Sequence, residues 1–258
     1  YTNGDEVSDD ETYPARLSDI LGVSVANHGV GGYGPTQSLL NLKEHVSRYP
    51  QAKVVILGIM YENLYRMVNS YRPVLYSTSS NYSLKPYMMG GEIIPRPGSD
   101  SLANINQFKV AANRAFDNDF WAKPLAEFPY LVSLGKSLTT NYFYYRKLQK
   151  QFRKLGVREY FLIFESSEIQ ANMISLLNQY ANFARDHNLK PVAVFIPRNS
   201  YDISSASKFI NRHRSKISPD LLLGDVGTHP NVDWTDFNLR EDDGNNTCHP
   251  SPYGYQAI

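Results

Sequence analysis

Cysteine is almost absent from this chain of 258 residues, since Cys248 is the only one. A single cysteine permits no intramolecular disulfide, so the cysteine content does not indicate a redox compartment. We expect Cys248 to be a small buried side chain rather than a reactive thiol. The sequence also lacks the H-x-x-x-H and paired-cysteine spacings of metal sites. We therefore predict neither a metal nor a cofactor.

Net charge and long apolar runs are also lacking. The 26 Lys and Arg residues nearly balance the 25 Asp and Glu residues, giving a formal net charge of +1. This balance argues against a nucleic-acid partner bound by phosphate neutralisation. No apolar run approaches the roughly 20 residues that cross a bilayer, so we predict no membrane span. The chain is instead rich in Tyr (19) and Phe (12), whose rings suit sugar faces and protein cores equally well.

Helical and strand patterns alternate near both ends of the chain. We predict helices over Glu11–Leu21, Pro35–Tyr49, Ser167–Asn188 and Tyr201–Ser215, and strands over Val23–Val30, Ala52–Met60, Lys190–Pro197 and Leu221–Val226. The runs AKVVILGIM and KPVAVFIP are typical of parallel strands that are buried on both faces. This alternation predicts an α/β protein, a flavodoxin-like three-layer α/β/α sandwich around a mostly parallel sheet.

Regular periodicity stops between residues 72 and 164, where Pro, Gly, Ser and Tyr are frequent. We interpret 72–164 as an irregular insertion or lid over the sheet of a single domain, 1–258. Tyr71, Tyr76, Tyr82 and Tyr87 suggest a platform for a sugar. Residues 228–248 are predicted to be a polar loop, followed by a final helix from Ser251. Both ends look trimmed, and a removed leader would place the parent protein in the periplasm or outside the cell.

Glycines cluster where the predicted strand Val23–Val30 meets the next helix, in the sequence NHGVGGYG from Asn27 to Gly34. Such a turn can aim backbone N–H groups at an anion, including the oxyanion formed during ester hydrolysis. The same glycines, Gly29, Gly31 and Gly34, also fit a G-x-G-x-x-G dinucleotide fingerprint, with Glu62 as the ribose ligand. A tight turn without any ligand is the third interpretation.

Two further residues lie where the carboxyl ends of parallel strands bind ligands. Asn63 follows the most apolar strand, and its amide can donate to an oxyanion or cap the next helix. His249 precedes the predicted final helix, where it is either a general base or an ordinary loop histidine. Each of these signals is weak alone.

Taken in order, these segments resemble the conserved blocks of the SGNH, or GDSL-type, hydrolases. The matching segments are Tyr13-Pro14-Ala15-Arg16-Leu17 for the first helix, Asn27 and Gly32 for N-x-x-x-x-G, Gly58 through Asn63 for G-x-N-D, and His249-Pro250 with Gly254 for D-x-x-H-P. The third match departs from the family in its spacing and lacks the final Asp. The resemblance covers about the sheet-forming half of the chain.

The resemblance implies a serine-type hydrolase of O-acyl esters, acetyl esters above all, on a carbohydrate or polysaccharide. Residues 1–4 resemble those that follow the family's G-D-S, so the nucleophile is expected immediately before Tyr1. Gly32 and Asn63 would then hold the oxyanion, and His249 would be the general base. The family's Asp falls on Asn246, so Asp243 is expected to replace it. The alternatives are a His dyad, a non-catalytic glycan-binding relative and a Rossmann-type dinucleotide binder.

Overall fold

The protein is an α/β chain, seen in a computed structural model that describes residues 2–4, 7–60, 63–70, 84–96, 106–107, 110–111, 131, 166–197, 203–228, 238–240 and 246–250. The helices are α1 (Tyr13–Leu21), α2 (Pro35–His45), α3 (Asn63–Met67), α4 (Ser167–Asp186) and α5 (Ile203–His213). The strands are β1 (Val54–Met60), β2 (Tyr87–Met89), β3 (Glu92–Ile94), β4 (Lys190–Ile196), β5 (Leu222–Asp225), β6 (Asn238–Arg240) and β7 (Asn246–Pro250). Two compact units contain them, Tyr1–Leu64 with Met173–Ile258, and Tyr65–Asn172.

A parallel sheet in the order β1-β4-β5 forms the centre of the first unit, with Val54 opposite Lys190 and Val192 opposite Leu222. Pro191 has no N–H group, yet it interrupts no ladder. The Lys190 N–H donates to the Lys53 carbonyl, so even-numbered residues of β4 face β1 and Pro191 faces the other way. Because β5 begins opposite Val192, Pro191 lies just before the β4–β5 ladder starts and breaks no strand pairing there.

The predicted helices are confirmed within one or two residues at most ends. The α1 helix begins after Thr12, whose side chain accepts from the Ala15 N–H, and ends at Gly22 with a left-handed φ of 64°. The α4 helix ends two residues earlier than predicted. Asn188 adopts a left-handed φ of 58° there, which closes the helix in the manner of a glycine. The structure continues α2 and α5 with 3₁₀ turns at Val46–Arg48 and Arg214–Lys216.

The predicted strand Val23–Val30 is wrong, because the segment is extended but pairs with no described residue. None of its eight residues is buried. The β1 strand also departs from the prediction, since only its carboxyl-terminal half is buried and Val54 is 49% exposed. A strand needs neighbours on both sides to be covered, and β1 is an edge of the described sheet.

The loop predicted over residues 228–248 is also wrong in part. Thr228 ends a 3₁₀ turn, and β6 and β7 pair antiparallel within and just beyond the segment. The final helix predicted from Ser251 lies outside the described residues.

The second unit contains an antiparallel hairpin, β2 with β3, which the sequence reading did not predict. Gly90 and Gly91 connect the strands with φ values of 58° and 85°. Two consecutive positive φ angles define the turn that suits the twist of a two-residue hairpin. Asn172 supports this turn, because its Oδ1 accepts from the Gly91 N–H at 2.8 Å.

Tyr180 of α4 lies at the centre of the first unit's core and is 1% exposed. Its hydroxyl lies 2.7 Å from the Val55 carbonyl oxygen and 3.0 Å from that of Val192, on two neighbouring strands. Burial raises the pKa of the Tyr180 phenol well above its usual range, so the group stays a neutral donor. The α5 helix adds Phe209, whose ring centroid is 6.1 Å from that of Phe195 in β4.

The carboxyl-terminal half of α4 is also tied to the turn that precedes β5. Asn178 donates from Nδ2 to the Lys216 carbonyl at 2.9 Å and accepts from the Ser218 N–H at 2.8 Å.

Among the described residues, no helix is long and apolar enough to cross a membrane.

Candidate functional site

Residues 2 and 3 pack against the glycine-rich turn that follows α1. Asn27 donates from Nδ2 to the Thr2 carbonyl at 2.7 Å, while its Oδ1 accepts from the Gly29 N–H at 2.9 Å. The Thr2 hydroxyl lies 3.0 Å from the Tyr13 hydroxyl at the start of α1. The Asn27 amide therefore holds Thr2 against the glycine-rich turn.

Two glycines make this close approach possible. A Cβ on Gly29 would lie 2.3 Å from the Asn3 nitrogen and 2.4 Å from the Thr2 carbonyl carbon. A Cβ on Gly58, in β1, would lie 3.3 Å from both the Thr2 Oγ1 and the Tyr13 hydroxyl. Thr2 therefore lies between the glycine turn and the carboxyl-terminal half of β1.

The turn continues through Gly32, one of the predicted oxyanion donors. Its φ is 81°, and the Tyr33 N–H donates to the Val30 carbonyl at 3.2 Å. A hydrogen-bonded four-residue turn with a positive φ only at its third position is type II, which favours glycine there. Pro35 then begins α2, as predicted.

Asn63, the second predicted oxyanion donor, is the first residue of α3, just beyond the end of β1. Its Oδ1 is buried and has no hydrogen-bond partner among the described residues. Asn63 therefore does not cap α3, because a capping side chain would accept a backbone N–H. An unsatisfied buried oxygen costs about 1–3 kcal/mol, so this orientation of the Asn63 side chain lowers the stability of the fold.

His28 forms a small aromatic cluster on the outer side of the same turn. Its Nε2 lies 2.8 Å from the Tyr49 hydroxyl, and its ring centroid lies 5.7 Å from that of His45. Partial burial lowers the pKa of His28, and the charges of His45 and Arg48 act in the same direction. Asn41 donates from Nδ2 to the His28 carbonyl at 3.2 Å, so α2 also braces the turn.

Asp225, at the carboxyl end of β5, is a carboxylate that the sequence reading did not select. Its Oδ2 accepts from the Ser207 hydroxyl at 2.6 Å and its Oδ1 from the Gly227 N–H at 2.9 Å. Burial raises its pKa, while these two hydrogen bonds oppose the rise. Both oxygens are already used to hold α5 and the following 3₁₀ turn, so the arrangement is structural.

His249 lies in β7 rather than in a loop before a helix, a correction of the predicted setting. The antiparallel pairing of β6 and β7 places its backbone in a two-stranded sheet, and its side chain lies outside the described residues. Asp243 and Gly254 lie outside them too. Of the four predicted site residues, the structure therefore describes the surroundings of Gly32 and Asn63.

Tyr87 does not belong to a sugar platform, because it is a β2 residue only 3% exposed. Tyr71, Tyr76 and Tyr82 lie outside the described residues. Within the described part of the chain, no group of three His, Cys, Asp or Glu side chains is placed to hold a metal ion.

Comparison with known proteins gives no match to a family model, a curated protein or a solved structure.

Proposed function

We propose that this chain belongs to an SGNH-type serine hydrolase of O-acyl esters, with its nucleophile immediately before Tyr1. The observation that carries the proposal is the packing of Thr2 between Gly29 and Gly58. A serine joined to this segment would lie near the glycine turn and the carboxyl end of β1. Parallel α/β sheets bind their ligands at that edge. The finer architecture that we propose is the three-layer α/β/α sandwich of that family.

Asn63 gives independent support, because its buried Oδ1 is not used for capping. An Asn just beyond a strand end whose oxygen does not cap the helix can donate from Nδ2 to a transient oxyanion. In the proposed reaction, the serine Oγ attacks the acyl carbon while His249 takes the hydroxyl proton. His249 then protonates the leaving alcohol, and water releases the acid from the acyl-enzyme by the same steps. Gly32 N–H and Asn63 Nδ2 would share the negative charge.

In the dinucleotide alternative, the first glycine of the fingerprint, Gly29, serves the tight turn from strand to helix. Here the space next to Gly29 is filled by the backbone of Thr2 and Asn3, so this glycine is accounted for without a nucleotide and the alternative has less support. The substrate class, an acyl ester on a carbohydrate, follows from the family resemblance and is part of the proposal.

The test uses the parent protein with its residues before Tyr1, assayed on p-nitrophenyl acetate and on acetylated polysaccharide. We expect turnover that falls by about 100-fold or more for Asn63→Ala, as for other oxyanion donors. His249→Ala should abolish turnover, and His187→Ala serves as the control because His187 is exposed at the end of α4. Undiminished turnover in His249→Ala would contradict the proposal.

A non-catalytic glycan-binding relative is the second candidate, favoured by Asn246 at the position of the family's Asp. An amide there cannot stabilise an imidazolium as a carboxylate does. This candidate predicts polysaccharide binding without turnover, and no serine immediately before Tyr1.

A further inference from the structure

Two histidine side chains meet on the outer side of the glycine-rich turn, apart from the residues proposed for catalysis. His28 belongs to the turn, and His45 is the last residue of α2. Their ring centroids are 5.7 Å apart, and the rings are inclined at 67°, so they do not stack face to face. Two imidazoles bound to one metal ion have ring centroids roughly 4.5–6.5 Å apart, because each metal–nitrogen bond is about 2.0–2.1 Å long. The separation of the two rings therefore suits a shared metal ion.

Each ring also has a polar partner of the kind that supports a metal-bound histidine. His45 Nδ1 lies 3.1 Å from the Asn41 carbonyl oxygen, which can only accept, so Nδ1 carries the proton and Nε2 keeps its lone pair. His28 Nε2 lies 2.8 Å from the Tyr49 hydroxyl, and when Nε2 donates to this hydroxyl, Nδ1 keeps the lone pair. No described residue bonds to His28 Nδ1 or His45 Nε2, so one nitrogen of each ring is open to a metal ion.

The backbone that carries the two rings is already held in place. Asn41 donates from Nδ2 to the His28 carbonyl at 3.2 Å, which fixes the turn against α2. The Tyr49 N–H donates to the Val46 carbonyl at 3.0 Å and closes the 3₁₀ turn that continues α2. A ligand that binds between ordered segments has less conformational entropy to offset.

The surrounding charge determines which ion suits the pair. The positive charge of Arg48 acts on His28, so a bound cation must have a strong preference for imidazole. Among the divalent first-row metals, Cu²⁺ binds nitrogen ligands most tightly. An anion is the other ligand that an arginine beside two histidines suggests. The pair lies at the carboxyl-terminal end of α2, however, where the helix dipole is negative and favours cations.

We propose that His28 and His45 form a binding site for a divalent transition-metal ion, with Cu²⁺ preferred. His28 Nδ1 and His45 Nε2 are the protein ligands, and water completes the coordination. Tyr49 is a positioning residue, because its hydroxyl holds the His28 ring through Nε2. Two protein ligands are fewer than the three of catalytic zinc sites, so the ion is taken up reversibly and is not a resident cofactor. This proposal does not depend on the hydrolase reaction.

The test measures Cu²⁺ binding by isothermal titration calorimetry, with His28→Gln and His45→Gln as the ligand variants. Each should weaken binding about tenfold or more, since losing even the supporting partner of a metal ligand costs about 10–100-fold. His187→Gln is the matched control. The His187 Nδ1 also lies 2.9 Å from a backbone carbonyl oxygen, that of Phe183, but its ring contacts Phe183 at 4.1 Å instead of a second histidine. The control should bind like the wild type. Wild-type affinity in either ligand variant, or an equal loss in the control, would overturn the proposal.

Two further measurements separate a shared site from binding by one histidine and from an anion site. The EPR spectrum of bound Cu²⁺ should show coupling to two imidazole nitrogens in the wild type and to one in either ligand variant. Tyr49→Phe should weaken Cu²⁺ binding about tenfold. Arg48→Gln should strengthen it about twofold, because a like charge is removed. One coupled nitrogen in the wild type would overturn the proposal, as would a site that binds inorganic phosphate in place of Cu²⁺ and loses it in Arg48→Gln.

Discussion

Replacing Gly29 by alanine tests the contact on which the proposed active site depends. The added methyl group would lie 2.3 Å from the Asn3 nitrogen, a distance that backbone atoms do not tolerate. The first way to relieve the clash is for residues 2 and 3 to detach. This would break the bonds from Asn27 Nδ2 to the Thr2 carbonyl and between the Thr2 and Tyr13 hydroxyls.

The expected loss of stability is similar whichever way the clash is relieved. Two lost hydrogen bonds at about 1 kcal/mol each cost about 2 kcal/mol. If the segment stays in place instead, overpacking strain costs about 1–3 kcal/mol. We therefore expect Gly29→Ala to lower the free energy of unfolding by about 2 kcal/mol, measured by urea denaturation of residues 1–258. Amide exchange near Asn3 should also accelerate.

Gly224→Ala is the matched control. A Cβ on this β5 glycine would lie 3.7 Å from the nearest atom, in Val194, which is an ordinary contact. Its effect on the free energy of unfolding should stay within about 0.5 kcal/mol. If Gly29→Ala were as stable as Gly224→Ala, residues 2 and 3 would not pack on the turn as described, and the placement of the nucleophile would lose its basis.

Three other predictions concern stability. Tyr180→Phe should lower the free energy of unfolding by about 1 kcal/mol in urea denaturation at pH 7. Because folding raises the pKa of Tyr180, wild-type stability should also fall as pH rises above about 10, where the unfolded phenol ionises first, and the Phe variant should lose this part of the fall. Folding lowers the pKa of His28, so stability should fall as pH drops below about 6.5, and a pH series of unfolding measurements on His28→Gln should show a shallower fall. Asn178→Ala should cost about 1 kcal/mol in the same denaturation assay, since it removes one exposed and one part-buried hydrogen bond to the backbone.

The elements that sequence reasoning predicted correctly have long apolar runs or helical periodicity with clear ends. The VVILGIM run of β1 and the Gly22 end of α1 are examples. The segment 23–30 has an equally strand-like composition, yet pairing decides whether a strand forms, and composition does not reveal the neighbour. The β2–β3 hairpin had a usable local signal, since Gly90-Gly91 between apolar residues favours a two-residue turn.

The candidate site was predictable only in its parts. The glycines of the turn and Asn63 could be selected by their positions after apolar segments. The roles of Gly29 and Gly58 could not, because each is defined by an atom of Thr2 distant in sequence. Asn27 was noted as a motif residue, but its hydrogen bond to the Thr2 carbonyl joins residues that are 25 positions apart in the sequence. Such long-range contacts leave no periodic trace in the sequence.

The Tyr180 hydroxyl has a consequence for the order in which the central sheet assembles. Its contact with the Val192 carbonyl spans only 12 residues of the chain, whereas its contact with the Val55 carbonyl spans 125. The first contact needs only α4 and β4 to fold back on each other, while the second needs β1 to lie beside β4. The phenol therefore joins a local helix–strand unit to a strand that comes from a distant part of the chain.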